Sequence, residues 1–204
     1  MHKFTRIDID KMSKIFRLNL INSITGYKSA NLIGTKTDDK INNVAVFSSV
    51  THLGSDPPLI GFITRPENGN RNTYNNILKN KLFTINHIVK NQIISAHQSS
   101  AKYPKNVSEF NKTDLKAEFK NNFDAPFVKD SPVQIGCSFV NKYFIKENKT
   151  TLMIGQVEML FINKKLVIED GFVQLDKEDV IAVNGLDGYA LPKLIKRIPY
   201  ARPW

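Results

Sequence analysis

From Ala30 onward, apolar residues come in short runs separated by turn formers, and each run is the length of a strand. Ala30–Thr35 predicts a strand closed by the polar turn Lys36–Lys40; Val44–Val50 predicts a second and Leu59–Thr64 a third. Between these last two, Gly54-Ser55-Asp56-Pro57-Pro58 predicts a loop, because neither proline can donate to a ladder. Leu82–Val89 alternates as a strand. Val133–Ile145 and Thr151–Ile162 predict a hairpin across Lys146–Lys149, with shorter candidates at Val167–Glu169, Phe172–Leu175 and Val180–Val183. Helical spacing is confined to three places. In Asp10–Ile21, Met12, Ile15, Phe16 and Leu20 recur at helical intervals, and shorter helices are expected over Thr73–Lys79 and Gln92–Ser99. Residues 100–130 predict an irregular, charged excursion with helical turns around Leu115–Phe119; so long a connection is more often functional or interface-forming than idle. Six or more short strands with few helices predict a mainly β fold, a small β-barrel.

Composition narrows the class. The 204 residues fit one domain spanning 1–204, with no repeat or low-complexity linker to divide it. A chain of this length buries roughly 70% of its unfolded surface, so it needs no disulfide or metal staple. Its 41% hydrophobic and 24% charged residues are ordinary for a soluble globular protein. No apolar run approaches the roughly 20 residues of a membrane span. The first twenty residues mix charges throughout, unlike a secretory signal, and the one cysteine, Cys137, cannot form an intrachain disulfide. A reducing, cytoplasmic location is the expectation. The formal charge of +10 raises the question of nucleic acid. Between Lys102 and Lys149, however, the lysines alternate with Glu109, Asp114, Glu118, Asp124, Asp130 and Glu147, the pattern of a solvated surface rather than a recognition stripe. Attraction of small phosphorylated molecules fits the charge as well.

The familiar catalytic constellations are missing: the chain has no CxxC, HExxH, P-loop or GxSxG. His2, His52, His87 and His97 lack metal-ligand spacing, so no metal site is expected, and Cys137 within the apolar run Ile135–Val140 reads as a buried structural thiol. The most informative segment is Asn42–Arg65. Its expected strand carries adjacent hydroxyls, Ser48 and Ser49, of which only one can face a given pocket by side chain; the other could still contribute its backbone. A polar loop with Thr51 and His52 follows, and the next strand ends at Arg65. Arg71 and Thr73 open a predicted helix, whose N-terminus favours an anion. The same residues also suit a simple N-cap by Asn72 or Thr73 beside a solvent-facing arginine.

The run NNVAVFSSVTHLGSDPPLIGFITRP resembles the signature of flavin reductase-like FMN-binding proteins, with its Asn-Ala-x-Phe-Ser-Ser strand, short loop and x-Pro-Pro-Leu strand. GYKSANLIGT at Gly26–Thr35 is similar to the family's first barrel strand, and RNTYNNILKNKLFTINHI at Arg71–Ile88 to its Lys-Asp-Thr-x-x-Asn-Ile helix and Phe-x-Val-Asn strand. Ser131-Pro132, the strand pair to Ile162 and NGLDGY at Asn184–Tyr189 continue the resemblance, which covers about Gly26 to Tyr189. Two positions depart from it: Lys28-Ser29 stands for Arg-Pro and Arg71-Asn72 for Lys-Asp, each keeping a cation. The resemblance implies an FMN-binding split β-barrel and a homodimer with sites at its interface. NADH or NADPH would be the electron donor, passing hydride to flavin N5, with chemistry borne by the flavin and no catalytic side chain named. It further implies that Lys28, Arg71, Asn72 and Thr73 serve the phosphate and that Val46, Phe47, Ser48, Ser49 and Val50 run beside the ring. Thr51, His52, Arg65 and Tyr189 would be further contacts. An FMN-holding electron carrier without its own nicotinamide site is the alternative.

Overall fold

In the computed structural model, which describes residues 1–65, 72–104 and 106–203, seven strands form one antiparallel sheet. Two short helices, α1 (Arg6–Lys11) and α2 (Lys14–Ser23), precede a two-residue strand β1 (Lys28–Ser29). Then come β2 (Asn31–Lys36), β3 (Asn42–Phe47), β4 (Thr51–Ser55), β5 (Pro58–Thr64), helix α3 (Asn72–Asn80), β6 (Leu82–His87) and helix α4 (Ile93–Gln98). The excursion holds the small ladder of β7 (Ala117–Glu118) and β8 (Phe127–Val128), followed by the long hairpin β9 (Val133–Ile145) and β10 (Thr150–Ile162). Two short strands, β11 (Ala182–Asn184) and β12 (Gly188–Ala190), join β1 in a separate three-stranded sheet. The seven-stranded order is β3-β2-β6-β9-β10-β5-β4.

The sheet curls until its ends meet. On edge strand β3, the Phe47 ring packs edge-on against Phe62 of β5 at 5.3 Å, and the Ser49 hydroxyl accepts from the Ile63 amide at 3.0 Å. Side chains pointing inward fill the barrel, among them Ile33, Phe62, Phe83, Ile85, Cys137 and Met153, with Tyr74 and Ile77 of α3 packed into the same core. The outer face of β2 and β3, with Leu32, Val44 and Val46, is covered by Ala96 of α4, Phe110 and Leu115 of the excursion and Val183 of β11. Gly34 on β2 leaves room for Pro126, whose carbonyl accepts from the Thr84 hydroxyl at 2.6 Å. No helix among the described residues is long and apolar enough to cross a membrane.

Five expectations need correction. The helix expected over Asp10–Ile21 is two helices, because the Ser13 hydroxyl accepts from the Phe16 amide at 3.4 Å and starts α2 afresh. Val44–Val50 is not one strand: β3 stops at Phe47, and Ser48–Val50 bridges to β4. Thr51 and His52 therefore sit on an edge strand rather than in a loop; β4 pairs with β5, Leu53 is bulged out of the register, and Pro58 opens β5, where a proline is tolerated. Around Leu115–Phe119 there is the short strand β7 rather than helical turns, the 3₁₀ turn lying earlier at Glu109–Asn111. The candidates at Val167–Glu169 and Phe172–Leu175 reduce to the single bridge Val167–Val173.

Candidate functional site

The segment between β3 and β4 is fixed by hydroxyls. Ser49 accepts from the Ile63 amide at 3.0 Å and donates to the Ile63 carbonyl at 3.2 Å. The Val50 carbonyl accepts from the Ser29 hydroxyl at 3.1 Å. These bonds bring Ser48–Val50 beside β1 and within two residues of Arg65, which is exposed at the end of β5. Thr51 and His52 continue outward on β4, both exposed. Lys28 pairs with Val183, and Val183 in turn with Tyr189, so these three residues form one row on the small sheet.

Within this rim the roles differ by residue. Phe47 and Val50 pack against the barrel core, whereas Val46 faces the outer core, so none of the three is a freely projecting side chain. Ser49 is bonded at both donor and acceptor positions. Ser48, half-buried, sits at the bend where β3 ends, next to a run of half-buried residues from Ala45 to Val50. The Lys28 ammonium donates to the Asn22 carbonyl at 2.8 Å and the Thr25 hydroxyl at 3.2 Å, a placement that suits the negative end of α2. Tyr189 is half-buried, its hydroxyl 3.1 Å from His97 Nδ1, and burial pushes its phenol above the ordinary range.

The other end of β3 meets helix α3. The Thr73 hydroxyl donates to Asn43 Oδ1 at 3.2 Å, as does the Thr35 hydroxyl, also at 3.2 Å. Asn76, one turn along α3, donates to Thr35 Oγ1 at 3.0 Å. Asn43 Nδ2 donates to Glu109 at 2.6 Å, and the same carboxylate oxygen accepts from the Val44 amide at 3.1 Å. Thr35, Asn43, Thr73, Asn76 and Glu109 are all buried. The Thr73 hydroxyl, expected to serve an anion, is therefore engaged by Asn43, leaving the first-turn amides as what this end of α3 can offer. Asn72 begins the helix and is half-buried; Arg71 lies outside the described residues. From Asn43 to Phe47, the last residue of β3, is about 13 Å at about 3.3 Å per strand residue.

Sequence reasoning did not single out Asn43, Thr35, Asn76, Glu109 or Ser29. The spacing of Thr73 and Asn76 was the available signal, since residues three apart share a helix face. Elsewhere, burial pushes the Cys137 thiol up to about 12 and lowers His87 to about 4, as expected for an inert core thiol and a neutral imidazole. Among the described residues, no cluster of His, Cys, Asp and Glu could hold a metal ion. Two open surface hollows, of about 640 and 400 Å³, share Asp130, Pro132 and Glu178 and do not include the rim residues.

Residues 27–173 match the model of the flavin reductase-like domain. A candidate flavin reductase with a split barrel domain from Shewanella frigidimarina is 40% identical; the superposition covers 98% of this chain and 100% of that one, with a TM-score of 0.94. Nitrilotriacetate monooxygenase component B from Bacillus cereus superposes with a TM-score of 0.83 at 17% identity, covering 97% and 98% of the two chains. Flavoredoxin of Desulfovibrio vulgaris does so at 0.73 and 19%, covering 86% and 92%. A domain match over most of the chain, a barrel of the same topology and a close full-length relative agree: the chain belongs to the flavin reductase-like family and folds as its split barrel.

Proposed function

We propose that this chain is an FMN-dependent oxidoreductase that takes electrons from NADH or NADPH, acts as a homodimer and works in the cytoplasm. The observation that carries the proposal is that the N-terminus of α3, bonded to Asn43, and the hydroxyl-bearing rim Ser48–Val50 lie at opposite ends of edge strand β3, an arrangement that offers separate places for the phosphate and ring ends of one extended FMN. Membership of the flavin reductase-like family and the 40% identical Shewanella protein support it.

The residues present fit such a group. The first-turn amides of α3, at Asn72 and Thr73, would receive the phosphate together with Arg71, a role for Arg71 that rests on the sequence alone. The half-buried run Ala45–Val50 would line one side of the ring, with the Ser48 hydroxyl and nearby backbone N–H groups donating to its polar edge. Thr51, His52 and Arg65 would border the opening, and Lys28 and Tyr189 would form the wall on the small sheet. When bound, FMN supplies the hydride-accepting N5 and the onward transfer of electrons. The protein's part is to hold that ring at a fixed approach and exclude water from one face.

FMN and riboflavin titrations test the placement. FMN should bind more tightly than riboflavin, and Arg71→Ala should weaken FMN binding by about 1.5–3 kcal/mol, the scale of a charge-assisted hydrogen bond, while barely changing riboflavin. Equal affinity for both flavins would remove the phosphate site from α3; binding of neither would remove the flavin.

A further inference from the structure

The flavin assignment leaves one buried acid without a task. Glu109 stands on the 3₁₀ turn of the excursion, distant in sequence from every rim residue, and is only 5% exposed. A buried carboxylate is costly unless it is well bonded, and burial does push this one above its ordinary range. Its bonds run in one direction. A single oxygen takes the Val44 amide on the free edge of β3 and the Asn43 side-chain amide. Because an ionised carboxylate can only accept, Asn43 must turn its NH₂ toward Glu109 and its oxygen the other way. That oxygen then takes the hydroxyls of Thr35 and Thr73, and Thr35 takes the amide of Asn76. Reversing Asn43 would set its oxygen against the carboxylate and leave the Thr35 hydroxyl without an acceptor. The charge of Glu109 thus orients a chain of bonds that ends at two points, Thr73 and Asn76, on the first turns of α3.

We propose that Glu109 is a positioning residue for the phosphate end of the flavin site: acting through Asn43, it fixes the N-terminus of α3 relative to β3, and so the distance from the phosphate amides to the Ser48 rim. This rests on the flavin assignment above. Glu109 itself touches neither flavin nor nicotinamide. The excursion, whose sequence gave it no assigned role, becomes the element that sets the length of the site.

The effect should separate two ligands that differ only in the phosphate. Glu109→Gln keeps the size and one acceptor but removes the charge that orients Asn43. It should weaken FMN about five- to tenfold, within the range for one lost intramolecular hydrogen bond, and leave riboflavin within about twofold. Thr73→Val cuts the last link while sparing the helix amides, and should give the same FMN-selective loss. Because both variants break one chain, the double variant should lose little more than either alone. Fluorescence titration of each variant with both flavins, alongside thermal unfolding, reads all of this. Should Glu109→Gln not fold, Thr73→Val answers alone: selective loss of FMN supports the role and an unchanged affinity overturns it. Equal loss of FMN and riboflavin, or additive losses in the double variant, also overturns it and points to general support of the fold. If the unmodified chain binds neither flavin, the flavin assignment fails first and takes this role with it.

Discussion

Ser48 and Ser49 are neighbours in sequence with different surroundings. Ser49 is bonded twice to the backbone of Ile63 and closes the barrel, whereas Ser48 lies half-buried at the bend after β3. Ser49→Ala should cost about 1–3 kcal/mol in urea unfolding, because the Ile63 amide loses its partner. Ser48→Ala should change stability by less than about 0.5 kcal/mol and instead weaken FMN by about 0.5–1.5 kcal/mol. The reverse pattern would mean that the ring lies against Ser49 and not Ser48. The sequence supplied the pair and the expectation that the two differ, but for a reason that does not hold, since strand alternation ends at Phe47. What separates them is a contact with β5, set by how the sheet closes, and local pattern carries no trace of that closure. The same holds for Thr73. Its place at the start of α3 was legible, while its bond to Asn43, 30 residues away, was not.

At the scale of elements, legibility followed the length and the burial of each run. β9 begins and ends where the sequence predicted, and β6, α3 and α4 differ from expectation by one or two residues at their ends. Each has a periodic apolar face or strong turn punctuation. β4 was missed because its residues are exposed or half-buried and its neighbouring prolines read as a breaker; pairing to β5 overrode that local signal. β7 was missed because its partner β8 lies across a loop inside the excursion. The excursion is nonetheless firmly seated, with Phe110, Leu115, Phe123, Ala125, Phe127 and Val128 all buried. It packs tightly on the barrel at Gly34, where an added Cβ would meet the Pro126 carbonyl and the Thr84 hydroxyl. Gly34→Ala should therefore destabilise the fold by about 1–3 kcal/mol, as overpacked sites do. Thermal unfolding checks it, and an unchanged midpoint would mean that the excursion is not held as tightly as its burial indicates.

The whole molecule leaves apolar surface uncovered in the single chain. No residue of α1 or α2 is buried, and Ile15 and Phe16 are 69% and 53% exposed. On the hairpin, Val140, Tyr143, Phe144 and Leu160 are exposed as well, as are Leu194, Ile195 and Ile198 beyond β12. Patches of this kind commonly mark an interface, and the homodimer proposed above would cover them. Light scattering at micromolar concentration should give about twice the 23.2 kDa chain mass; a monomer throughout would leave these patches without that explanation. The barrel and its family were legible from strand spacing and from the Asn42–Pro66 motif. The dimer rests on resemblance and on exposure.

In the proposed reaction, bound FMN receives electrons from a reduced nicotinamide on this protein. Its most direct measurement is anaerobic stopped-flow mixing of the FMN-loaded chain with NADH and, separately, NADPH, following the flavin absorbance. The flavin band should bleach with at least one nicotinamide, faster than for free FMN under the same conditions, and Ser48→Ala at saturating FMN should still bleach, because positioning and not a serine proton carries the rate. A chain that holds FMN yet leaves it oxidised with both nicotinamides would rule out the reductase and make the protein a flavin carrier in its place.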